Sequence, residues 1–123
     1  MSVETDLYTM ITSDAGVAAL VGTRVFPLVA GTNAALPLVV YRRTGDAQVR
    51  GMGADAMTQS IFRLDCWAVT FSAVKQLSDA VVAAVDRQSA GSIKAILKND
   101  ETPIRDDVTG DYRISIGVEV SHA

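Results

Sequence analysis

The chain has 123 residues, 49% of them hydrophobic and 20% charged, a composition that fits one compact soluble domain spanning 1–123 and argues against two. Its one cysteine excludes an internal disulfide framework, and eleven Lys plus Arg against fourteen Asp plus Glu, a net charge of -3, carry the wrong sign for tight binding to phosphate backbones. No apolar run approaches the roughly 18 residues of a membrane helix, and the first residues carry acids where a secretion signal carries bases, so a soluble protein, cytoplasmic at synthesis, is expected.

Val3, Leu7, Met10 and Ile11 recur at helical spacing behind Ser2, a candidate cap, with Glu4 and Asp6 where the helix dipole favours acids. Ser13 or Asp14 can cap a second short helix that buries Val17, Leu20 and Val21 and stops at Gly22. Arg24 to Leu28 then reads as a short extended segment, and Pro27, which cannot donate to a ladder, places it at a sheet edge or strand end. A loop from Ala30 to Ala35 follows. Leu38, Val39, Val40 and Tyr41 form a β-branched and aromatic run that predicts a strand ending in Arg42 and Arg43.

From Thr44 to Ala56, three glycines mixed with charges and no apolar period predict a long mobile loop, and a loop of that length in a compact domain is a candidate interaction element. Period two then puts Phe62, Leu64 and Cys66 on one face of a strand and Arg63, Asp65 and Trp67 on the other. Thr70 can cap the longest helix, whose apolar stripe is Val74, Leu77, Val81, Ala84 and Val85, with Gly91 as its end. Ile93 to Lys98 alternates as a further strand, an acidic turn from Asn99 to Asp111 follows, and Tyr112 to Val120 has the clearest period-two pattern in the chain.

These residues give catalysis little to work with. His122 is the lone histidine and sits where chain ends fray, so a Ser-His-Asp or Cys-His arrangement lacks a well-placed base. One cysteine and one histidine cannot supply the usual zinc shell. Cys66 points inward with Phe62 and Leu64, as a small core residue does. Gly51-Met52-Gly53-Ala54-Asp55-Ala56 matches a dinucleotide fingerprint only superficially, because an alternating strand follows where a helix N-terminus is required. Asp106, Asp107 and Asp111 lack the spacing and closing glutamate of a helix-loop-helix calcium site. Asp65, between Arg63 and Trp67, reads as a surface or interface carboxylate. No cofactor or metal is implied.

Charge is polarised along the chain. Arg24, Arg42, Arg43, Arg50 and Arg63 precede or lie on the central strand, whereas the acids cluster near the C-terminal hairpin. Two solvated faces of opposite sign account for this, and so does head-to-tail association in which a basic patch on one copy meets an acidic patch on the next.

Four stretches carry a resemblance: Asp14-Ala15-Gly16-Val17-Ala18-Ala19-Leu20-Val21-Gly22 leading to Arg24-Val25-Phe26-Pro27; Leu36-Pro37-Leu38-Val39-Val40-Tyr41; Phe62-Arg63-Leu64-Asp65-Cys66-Trp67-Ala68; and Leu77-Ser78-Asp79-Ala80-Val81-Val82-Ala83-Ala84-Val85. In this order they resemble the tail completion family of long-tailed bacteriophages, which comprises tail terminator and head-to-tail joining proteins. The resemblance implies a non-enzymatic homo-oligomer, a hexameric ring that seats on the tail tube protein, stops tube growth and presents a surface to the head connector. DNA would be passing cargo only, no membrane would be involved, and the protein would reside at the tail-head junction of the virion after assembly in the host cytoplasm.

The expected fold is α+β: a two-layer sandwich with a mainly antiparallel four- to five-stranded sheet and the long helix and N-terminal helical pair on one face. Arg42, Arg43, Arg50 and Met52 are the expected loop contacts, and Trp67 is a candidate interface anchor that the chain's own loop could equally cover. Two alternatives stand beside this reading: another neck or connector protein, and a small α+β ligand-binding domain or enzyme with a pocket between sheet and helix.

Overall fold

A computed structural model describes residues 3–22, 24–27, 36–49, 57–89, 91, 93–105 and 110–122, with the side chains of all of these except 46–49, 57 and 58. In chain order the elements are α1 (Val3–Ser13), α2 (Ala15–Val21), β1 (Val25–Pro27), β2 (Leu38–Val49), β3 (Met57–Ala68), α3 (Phe71–Val85), β4 (Ile93–Arg105) and β5 (Tyr112–His122). The five strands form one sheet in the order β1-β2-β3-β5-β4. Only β1 and β2 run parallel, and the other three pairings are antiparallel. The α+β expectation therefore stands, with the parallel β1 as its one departure from an antiparallel sheet.

The helices begin where local chemistry starts them. Asp14 accepts the Val17 N–H at 3.0 Å and Thr70 accepts the Ala73 N–H at 3.1 Å, so each side chain satisfies an amide that the first turn leaves open. Ser2 lies outside the described residues. Gly22 closes α2 at φ +60°, a region that glycine enters without a Cβ penalty. α3 stops at Val85, capped by Asp86, and not at Gly91 as its composition suggests. Arg87 takes φ +61° and donates its N–H to the Ile96 carbonyl at 2.7 Å, which turns the chain out of the helix and toward β4.

One face of the sheet carries the core. Val39, Tyr41, Phe62, Leu64, Cys66, Ala68, Ile96, Ile114, Ile116, Val118 and Val120 pack under Leu7, Ile11, Val17, Val21, Val74, Leu77 and Val81 of the helices. Alternation alone explains the strand contribution, since every second residue of β3 and β5 faces this layer. All three helices bury their apolar stripes on this face, and among the described residues none packs on the opposite one.

Two expected irregular segments are instead strand. β2 continues through Thr44 to Val49, paired with β3 from Ile61 back to Met57 across a bulge between Arg43 and Gly45; residues 50–56 lie outside the described residues. Likewise β4 runs through Asn99 to Arg105 alongside β5, across register shifts between Ile93 and Ala95 and between Lys98 and Asp100. Residues 106–109 lie outside the description, as does the expected loop from Ala30 to Ala35. Bulges explain both misreadings. Each extra residue switches which positions face the core, so a paired strand loses its period-two pattern.

His122 is the third correction. It does not fray: β5 holds it in register with Thr58 on one side and Ile93 on the other, and the ring is buried.

Candidate interface

On the helix-free face, side chains from four strands line up in cross-strand rows. One row runs Leu38, Trp67, Arg113, Ile104; the next Val40, Asp65, Ser115, Thr102; the third Arg42, Arg63, Gly117, Asp100. Neighbours in such rows stand close enough to interact directly. Trp67 lies under Arg113, whose guanidinium carbon is 5.1 Å from the ring centroid. The tryptophan thus already has a cationic partner in its own chain, and it remains partly exposed.

Asp65 is buried, 5% exposed, which overturns its reading as a surface carboxylate. Arg42 Nε stands 3.8 Å from Asp65 Oδ2, a loose ion pair, and the Arg42 side chain keeps 46% of its surface in solvent. Among the described residues, Asp65 Oδ1 and Arg113 Nε are buried without a hydrogen-bond partner. Arg63, by contrast, is fully committed: Nε donates to Ser115 Oγ at 3.1 Å and Nη1 to Asp100 Oδ1 at 2.7 Å. Ile61, Leu97 and Ile104 are exposed large apolar side chains on this same face.

Arg42 and Arg43 make separate ion pairs, with Asp65 and Glu4 respectively. Both lie inside β2, so alternation sends Arg43 to the helical side, where it pairs with Glu4 at 3.1 Å, donates to Ser60 Oγ at 2.8 Å and lies 5.8 Å from the Phe62 ring centroid. Ser60 Oγ in turn sits 2.6 Å from His122 Nε2, and both residues are buried. Arg50 and Met52 lie outside the described residues. The polar face of β5 signals Arg113 through its period-two pattern, whereas nothing in the sequence marks Leu97 and Ile104, because the β4 bulges break the pattern around them.

Cys66 is buried on the core face, as alternation predicts. Burial is the main cause that pushes its thiol far above the ordinary range, with the nearby Asp65 and Glu101 carboxylates adding to it. Such a thiol stays protonated and is a poor nucleophile. Among the described residues, no group of three or more His, Cys, Asp or Glu side chains is placed to hold a metal.

Comparison with known proteins agrees with this organisation. The family model described as tail completion protein gp17 matches residues 5–120, from the first turn of α1 to the last residues of β5. The chain belongs to the tail completion family. Membership makes it a structural tail protein of the phage kind. A search of the curated proteins returned no match. Among solved structures, a chain from one titled "Virion of native gene transfer agent (GTA) particle" superposes with a TM-score of 0.78 at 20% identity, covering 98% of this chain and 94% of that one. At that identity the likeness establishes the shared fold. The family match and the shared fold thus take in the helices and the sheet together.

Proposed function

We propose that this protein caps the tail tube as a hexameric ring, ends tube growth and helps join the tail to the head. The observation that carries the reading is the family match over residues 5–120, which takes in every described element of the fold. A sheet face on which no described helix packs supports it, because the exposed side chains at its margins are available to neighbours while Leu38, Val40, Asp65 and Ser115 at its centre are already buried. The exposed Ile61, Leu97 and Ile104 support reading that face as an interaction surface. Arg42 and Trp67 are the proposed contacts on it, while Arg43 serves the fold.

The partners in this reading are further copies of the chain, the tail tube protein and the head connector, with DNA as cargo. A net charge of -3 suits a channel wall past which DNA slides, since a wall poor in cations releases few counterions and holds the duplex weakly. The virion's tail-head junction is the corresponding location.

Removing the protein during particle assembly tests the reading. Electron microscopy should then find overlong tails without heads. Tails of normal length that fail to attach heads would move the protein to a neck or connector role, and normal tails joined to heads would overturn the proposal.

A further inference from the structure

We infer that the groove at the outer edge of β2 binds an extended segment of a different virion protein, in which apolar and acidic residues alternate, and that this segment adds to the sheet as a strand. The groove is separate from the capping reading, which stands or falls without it.

β1 spans three residues and β2 twelve, and β1 pairs with β2 only from Val39 to Tyr41. From Arg42 to Val49, β2 has β3 on one side and, among the described residues, no strand on the other. A strand directs alternate N–H and C=O groups to each side, so this stretch presents ladder positions that its own sheet leaves unused. Exposure agrees, since Arg42, Arg43 and Thr44 all reach solvent. Past the bulge between Arg43 and Gly45 the pairing with β3 is regular as far as Val49, and the stretch contains no proline.

A cavity lies where such a segment would begin. About 280 Å³ in volume, it is lined by Glu4, Pro27, Tyr41, Arg42, Arg43 and Phe62. Arg42 and Arg43 send their side chains to opposite faces of β2, so a cavity that both border opens at the sheet edge, beside Pro27, the last residue of β1. Its volume falls short of the roughly 300–1,000 Å³ of drug-sized sites and suits one apolar side chain resting on Pro27, Tyr41 and Phe62. Strand addition uses these two features together, main-chain bonds along an edge and a pocket for a side chain.

Charge selects the occupant. Arg43 has Glu4 at 3.1 Å, whereas Arg42 keeps 46% of its side-chain surface in solvent and meets Asp65 only at 3.8 Å. A carboxylate on the incoming segment gives Arg42 a close partner. Arg42 and the apolar floor stand on opposite faces of the sheet, so the segment must alternate apolar and acidic residues. A second copy is the poorer occupant. Its own β2 edge would bring two pairs of arginines to one seam, and its β4 edge is interrupted by Pro103 and two register shifts.

Blocked peptides test the groove on the intact protein. The probe is the hexapeptide Thr-Val-Asp-Val-Thr-Val, compared with a version carrying Lys for Asp and with two versions N-methylated on odd or on even residues. In amide NMR titrations the probe should shift the Arg42, Arg43 and Thr44 signals saturably below about 1 mM and slow hydrogen exchange along β2. Lys for Asp should weaken binding about fivefold. One N-methylated version should lose binding and the other keep it, because only every second N–H meets the edge. Arg42→Gln, checked for folding by circular dichroism, should erase the preference for Asp over Lys; the peptide series reads the same preference without altering the protein. Absence of a saturable shift at these residues, equal binding by both N-methylated versions, or equal binding of the Asp and Lys peptides would each overturn the proposal. In assembled particles, Thr44→Cys labelled with a benzophenone maleimide should photo-cross-link to an alternating apolar and acidic stretch of another virion protein, identified by mass spectrometry; Cys66 is buried, and wild-type protein serves as its control. A cross-link to a second copy of this chain would overturn the proposal.

Discussion

Arg63 and Asp100 reach each other across β5, over the one position in that row without a side chain. Their Nη1 and Oδ1 atoms are 2.7 Å apart, and a Cβ built on Gly117 would lie 2.5 Å from each. Gly117 also donates its N–H to Asp100 Oδ1 at 2.9 Å, at the register shift between Lys98 and Asp100. Here glycine is required for space.

Gly117→Ala should therefore displace the ion pair while the backbone stays in place, because the obstructed atoms are side-chain ends. A half-exposed pair is worth little, under about 1 kcal/mol, and with the lost N–H contact the expected cost is roughly 1–2 kcal/mol. Chemical denaturation measures it. In an Asp100→Ala background the same substitution should cost clearly less, since the group it disturbs is already gone. Equal costs in both backgrounds would show that the glycine acts in some other way.

Substituting the adjacent arginines should separate fold from surface. Arg43→Ala removes the partner of Glu4 and a donor to the buried Ser60 hydroxyl, and should destabilise the protein by about 1–3 kcal/mol. Arg42→Lys keeps a cation beside the buried Asp65, which Arg42 meets only through a 3.8 Å contact, and should cost about 1 kcal/mol or less. Thermal melts of the two variants give the comparison, and a larger loss for Arg42→Lys would contradict the facial assignment.

The legible parts of the fold are those where one physical signal dominates. Phe62, Leu64 and Cys66 alternate without interruption, and they face the core. Val74, Leu77 and Val81 form a stripe behind a capping threonine, and they do as well. Illegible were the distal halves of β2 and β4, where bulges and polar residues remove any period although the backbone remains paired. The candidate interface was half legible. Trp67 and Arg42 stand on the helix-free face, but that Arg43 turns away follows only once β2 is known to continue past it, and Asp65 is buried by a packing of rows that no single strand reveals.

The Ser60–His122 contact ties the last described residues of β5 to the middle of the sheet. Ser60→Ala and His122→Ala should each cost about 1–3 kcal/mol, because each removes a partner from a buried polar network. The double variant should cost less than the sum of the two, by 0.5 kcal/mol or more as is usual for groups in contact. Strict additivity in urea titrations would mean that the two side chains stabilise the protein independently.

Cys66 sets a test at alkaline pH. Burial holds the folded thiol far above its ordinary range, whereas in the unfolded chain it ionises near pH 8.5. Below that pH both states keep the proton and stability is unaffected; above it the unfolded state loses the proton first, so stability falls as pH rises, by at most about 1.4 kcal/mol per unit from this one group. Tyr41, also raised, first by burial and then by Tyr8 and Glu4, adds to the fall above about pH 10. Cys66→Ala removes the thiol's share. Between pH 9 and 10 the variant's stability curve should therefore be flatter than that of the wild type, even though the lost sulfur lowers its absolute stability by about 1–2 kcal/mol. Parallel curves over that interval would mean that the folded thiol ionises as readily as the unfolded one, and rapid alkylation of the native protein by a maleimide at pH 8 would reveal the same fault directly.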